Sequence, residues 1–173
     1  MDARKSIAVA AIAAVAVLLQ LVLAPYIAIA NAVPDIVAVT AVLVAVVRTE
    51  RAGYVLPFVL GLLFDLLSGG PVGPMALVLL LVCFFAARLQ AALDNDTPVM
   101  PLLVAAVSLL VIEVVYAIIL AVLGHGAGLA GLVIYRALPV FVYDLVLAII
   151  LYPLIKRLLS EAAPIQSSIT RLR

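Results

Sequence analysis

The sequence predicts an all-α polytopic membrane protein, a bundle of six transmembrane helices. Hydrophobic residues make up 69% of its 173 residues and the mean hydropathy is +1.43, far above a globular domain. Residues 6 to 34 carry no charge across 29 positions, whereas a helix needs only ~20 apolar residues to cross the hydrocarbon core. The apolar runs are apolar on every side, where the strands of a membrane β-barrel would alternate.

Six spans follow in order, each ended by charges or by Gly and Pro. The first, about 6–24, begins after Arg4 and Lys5. Its flanks imitate a secretory signal ending at Ala28-Ile29-Ala30, but signal cores run about 7 to 15 residues, and this segment is long enough to span. Cleavage is therefore not expected. The second span, about 33–47, opens on Val33-Pro34-Asp35, and Arg48-Thr49-Glu50-Arg51 turns it tightly into the third, about 52–68. Ser68-Gly69-Gly70-Pro71-Val72-Gly73 separates that span from a fourth at about 74–93. Asp94-Asn95-Asp96-Thr97-Pro98 carries capping residues and a first-turn proline for a fifth, about 98–123. The glycine-rich stretch 124–128 precedes a sixth, about 132–155, and 156–173 reads as a basic tail. The whole chain is one transmembrane domain with no extramembrane domain on either side.

Short loops rich in Lys and Arg stay in the cytoplasm. Nine of the ten basic residues fall on one face of this arrangement, and Arg136 alone falls towards the other. Both termini are therefore expected in the cytoplasm. The net charge of +1 offers no nucleic-acid surface.

Ionisable groups inside a membrane need a partner or a wet cavity, because each costs roughly 2.5 to 3.5 kcal/mol near the bilayer centre. Asp65, Arg88, Glu113, Arg136 and Asp144 are such groups. Counting about 1.5 Å of rise per residue puts Asp65 and Arg136 near the outer face, Glu113 near the middle, and Arg88 and Asp144 nearer the cytoplasm. Two charge pairs are expected from these heights, Arg136 with Asp65 or Glu113, and Arg88 with Asp144; a proton or ion path is the functional alternative. Gly53, Pro57, Gly61, Asp65 and Gly69 recur every four residues, a stripe of small or special residues that suits close helix approach in lipid. Gly53, Pro57 and Gly61 are the candidate partner interface.

Catalysis finds no support. The single histidine, His125, has no second His or Cys to complete a metal site, and no serine has a triad or Gly-x-Ser-x-Gly setting. No cofactor motif is present, and the lone Cys83 reads as a small buried thiol.

The stretch GLLFDLLSGGPVGPMAL at 61–77, with Val33-Pro34-Asp35 and Leu151-Tyr152-Pro153-Leu154-Ile155-Lys156-Arg157, resembles the rod shape-determining MreD family. The family signature falls on Pro34, Gly61, Asp65, Gly69, Pro71, Gly73 and Pro153. The resemblance implies a non-enzymatic, cofactor-free subunit of the bacterial elongation machinery in the inner membrane, associated with the single-pass protein MreC. Through MreC it would connect to MreB filaments and to the peptidoglycan synthases, a RodA-type glycosyltransferase and a class B penicillin-binding protein. It also implies a fold similar to the S components of energy-coupling-factor vitamin transporters, which supplies an alternative function. S components dock through an Ala-x-x-x-Ala arrangement, and Ala10-x-x-x-Ala14 is present in an alanine-rich segment where chance would produce it. The outer loops offer a thin lining for a small molecule, mainly Asn31, Asp35, Ser68, His125 and Tyr135, so membrane lipid and protein partners are expected rather than a small-molecule substrate.

Overall fold

A computed structural model describes residues 3–28, 32–48, 54–93, 99–124 and 129–161, and every regular element among them is helical. Helix α1 (Ala3–Val22) is followed by a 3-10 turn (Ala24–Ile27), then α2 (Ile36–Val47), α3 (Val55–Ser68), α4 (Pro74–Ala92) and α5 (Val99–Val122). A short α6 (Leu129–Leu132) runs through a π-helical turn (Val133–Ala137) into α7 (Leu138–Glu161). Three stretches, Pro74–Ala92, Val99–Val122 and Ala130–Ser160, are each long and apolar enough to cross a membrane. Large apolar side chains such as Phe85, Val122 and Ile150 cover the outside of the bundle, a surface suited to lipid rather than water.

The last span differs most from expectation, beginning at Leu129 rather than 132 and ending at Glu161 rather than 155. Pro153 lies inside α7 on an exposed face and does not end it. Lys156 and Arg157, expected at the start of a tail, are therefore helical, while Arg171 and Arg173 lie outside the described residues.

Helix α2 is the axis of the bundle. Every residue from Ile36 to Val46 is buried, which explains a run with almost no polar atoms. At 12 residues it is ~18 Å long, well short of the ~30 Å hydrocarbon core. Its N-terminal end, at Asp35 and Ile36, is buried among its neighbours, with consequences for the backbone groups there.

Helices α3 and α4 form the tightest pair. A Cβ on Gly61 would lie 2.5 Å from the Ala76 Cα and 2.7 Å from the Met75 carbonyl oxygen, so only glycine permits this approach. The chain reverses between them at Gly69 (φ 68°), which ends α3 in the left-handed conformation, and at Gly73 (φ 113°), just before Pro74 opens α4.

Candidate functional site

A helix begins with backbone N–H groups that have no partner within it, and in a membrane interior each must find an acceptor. At the start of α2 the acceptors come from three helices. The Asp35 carboxylate accepts from the Ala38 N–H at 2.8 Å, an N-cap bond within its own segment. Gln20 of α1 presents Oε1 to the Ile36 N–H at 2.7 Å and the Val37 N–H at 3.4 Å, while its own Nε2 donates to the Pro34 carbonyl at 3.1 Å. Asp144 of α7 accepts from the Asp35 N–H at 2.8 Å through Oδ1. Four consecutive amides are satisfied by three side chains. The other oxygen of Asp144, Oδ2, is buried without a hydrogen-bond partner.

The start of α4 is capped in the same way. Gly73 sits at the N-cap without a side chain, and Pro74 has no N–H, so the acceptor comes from the preceding helix. Asp65 Oδ2 accepts from Gly73 at 2.8 Å, Met75 at 3.0 Å and Ala76 at 3.3 Å, and Oδ1 also faces the Met75 N–H at 3.3 Å. A carboxylate here also meets the positive end of the α4 dipole. Asp65 is 1% exposed, and this capping is what its charge does.

These contacts correct both expected charge pairs. Asp65 is occupied by the α4 amides, and Arg136 stands over the Tyr116 ring at 5.1 Å instead of against a carboxylate. Arg88 is exposed and covers the Phe84 ring at 5.4 Å, whereas Asp144 points to the start of α2. The competing partner of each aspartate is a backbone amide, which sign and height do not reveal. The expected interface is corrected as well: Pro57 and Gly61 are buried, Gly61 against α4 of the same chain, and Gly53 lies outside the described residues.

Beside the two capped ends the helices enclose a cavity of about 720 Å³. Gln20, Asp35, Glu113, Tyr116, Tyr135 and Arg136 supply its polar lining, and Val17, Leu21, Phe64 and Val140 are among its apolar walls. The π-helical turn carries Tyr135 and Arg136, a local distortion of the kind that recurs at functional sites. Tyr143, the residue before Asp144, ties α7 to the 3-10 turn by donating its hydroxyl to the Ile27 carbonyl at 2.8 Å. Among the described residues, no group of three or more His, Cys, Asp or Glu gathers that could hold a metal ion.

The sequence profile described as rod shape-determining protein MreD matches residues 4–162, nearly the whole chain. The chain belongs to the MreD family. No curated protein and no solved structure matches it significantly. As an MreD-family member it is a rod shape-determining membrane protein, and the residues that carried the resemblance now have structural roles. Pro34 precedes the α2 cap and offers its carbonyl to Gln20; Gly61 admits α4; Asp65 caps it; Gly69 and Gly73 supply the left-handed turns on either side of Pro71.

The polar lining was only partly anticipated. In the sequence Glu113 and Arg136 stand out as charges, and Asp35 and Tyr135 as loop groups, but Gln20 and Tyr116 do not. The signal for Gln20 was its place as the single amide inside the first apolar helix, and for Tyr116 its spacing of three from Glu113 on α5.

Proposed function

We propose that this protein is a non-enzymatic, multi-pass subunit of the bacterial cell-elongation complex in the inner membrane, binding MreC and helping to link the peptidoglycan synthases to MreB. The observation that carries the reading is the family match across residues 4–162, which takes in the entire bundle. A protein that consists of helices and short connections acts by binding, and MreC, with one membrane helix of its own, is the partner that this family implies. Both termini lie in the cytoplasm on this reading, because the Lys and Arg residues gather there, and the cavity opens towards the outer face. A RodA-type glycosyltransferase and a class B penicillin-binding protein are reached through MreC.

Since Pro57 and Gly61 are occupied by internal packing, the MreC helix is expected on another face. Helix α1 is the most peripheral, with Ala13 and Ala16 its only buried residues among those described, and Ala10 and Ala14 are exposed one turn apart. Small residues at that spacing admit a partner helix closely. Copurification with MreC in mild detergent tests this: wild type should retain MreC, and the Ala10→Leu/Ala14→Leu variant should lose it while remaining monodisperse. Retention by both moves the interface, and absence of MreC from the wild type overturns the reading.

The cavity favours a second reading, a substrate-binding S component of an energy-coupling-factor vitamin transporter. Its volume lies in the range of small-molecule sites, and polar and aromatic groups converge on it. Mass spectrometry of the same purification separates the two: a membrane subunit with two ATPases, or a bound vitamin, supports the transporter.

A further inference from the structure

Of the buried acidic side chains around the cavity, Asp35, Asp65 and Asp144 accept backbone N–H bonds, and Glu113 does not. Glu113 is 6% exposed, lines the cavity, and has no hydrogen-bond partner among the described residues. A carboxyl group buried this far without a partner carries a cost that a bound donor would remove. Three residues along α5, Tyr116 presents its ring to Arg136, whose guanidinium also lines the cavity and has no carboxylate in contact. An acceptor and a cation thus line one cavity beside Tyr116, within reach of each other's charge but without an ion-pair contact among the described residues.

We propose that the cavity binds a zwitterionic headgroup in which an ammonium lies close to a phosphate. The phosphate takes the guanidinium of Arg136, which matches such oxygens with forked donors, and the ammonium donates to Glu113. The chemistry is that of phosphoethanolamine, whether as the headgroup of an aminophospholipid or as a free small molecule. The apolar rim argues for the lipid: Leu21, Val33 and Leu67 are large apolar residues that line the cavity and are also exposed on the outside of the bundle. Acyl chains leaving the headgroup site would follow them into the bilayer. This inference requires membrane embedding alone, so it stands or falls separately from MreC binding.

Native mass spectrometry of the full-length protein tests it, with phosphatidylethanolamine, phosphatidylglycerol and free O-phosphoethanolamine titrated in turn. The wild type should retain phosphatidylethanolamine about ten-fold better than phosphatidylglycerol, which has the phosphate without the ammonium. Glu113→Gln should abolish that preference, Arg136→Gln should weaken both lipids, and Arg88→Gln on the exposed α4 face should change neither. Binding of O-phosphoethanolamine as tight as that of the lipid would sustain the headgroup chemistry and overturn the lipid as its source. Equal retention of both lipids by the wild type, with no binding of O-phosphoethanolamine, would overturn the proposal even if the variants failed to fold.

Discussion

Asp65 Oδ2 lies 2.8 Å from the Gly73 amide nitrogen, so a carboxylate near the end of one helix closes the beginning of the next. Across the bundle the Asp144 carboxylate of α7 likewise accepts from the Asp35 amide at the start of α2, again at 2.8 Å. Three buried carboxylates, Asp35, Asp65 and Asp144, hold helix entrances that an apolar environment would otherwise leave open. This explains why acidic residues persist in so apolar a chain without guanidinium partners.

Replacing Asp65 by Leu leaves the Gly73, Met75 and Ala76 amides without their acceptor. A loss of about 1–3 kcal/mol is expected, read as a lower melting temperature in detergent. Asp65→Asn keeps one acceptor oxygen and should fall between Leu and wild type. A Leu variant as stable as wild type would exclude capping as the role of this residue.

Gly61→Ala should be severe although it adds one methyl group. The new Cβ would meet backbone at 2.5 Å, which cannot rotate away as a side chain could, so α3 and α4 must separate. Overpacking costs typically 1–3 kcal/mol. The variant should elute as a broadened or aggregated species on gel filtration, and an unchanged monodisperse peak would contradict the close approach.

Gln20 serves both sides of the α2 entrance, accepting from Ile36 and donating to Pro34. Gln20→Leu removes the bonds to Pro34, Ile36 and Val37 and should lower the melting temperature by an amount equivalent to about 1–3 kcal/mol. Gln20→Glu preserves the acceptor and should be milder. Equal losses in the two variants would show that the donor bond to Pro34, which both remove, rather than the acceptor, holds the entrance.

At Asp144 the bonded and the unpartnered oxygen can be separated. Asp144→Asn keeps an acceptor for the Asp35 N–H and removes a buried oxygen that has no donor, so stability should change by less than about 1 kcal/mol. Asp144→Leu loses the bond and should be clearly less stable. Thermal unfolding of the pair decides, and an Asn variant as damaged as the Leu variant would show that the charge itself is required.

Much of this was legible in the sequence. Hydropathy marked the helices, and the Gly and Pro residues after Asp65 marked the turn, whereas nothing marked Asp35, which reads as a loop group, as the cap of α2. The caps supplied by other helices were not legible: Asp65 acts eight residues ahead on Gly73, Gln20 sixteen ahead on Ile36, and Asp144 lies 109 residues from Asp35. No local periodicity records such distances. The charge pairing failed for a related reason, since sign and approximate height say nothing about a backbone amide as the competing partner. The cavity was hidden because its lining comes from several helices and the segment before α2, a few residues at a time.

Capping and ion pairing are separated most directly by exchanging Asp65 and Arg136. Thermal melting of Asp65→Arg, Arg136→Asp and the double variant should show the double no more stable than Asp65→Arg alone, because an aspartate at 136 does not replace the acceptor for the α4 amides. Recovery of wild-type stability in the double variant would contradict the capping account and restore the ion pair.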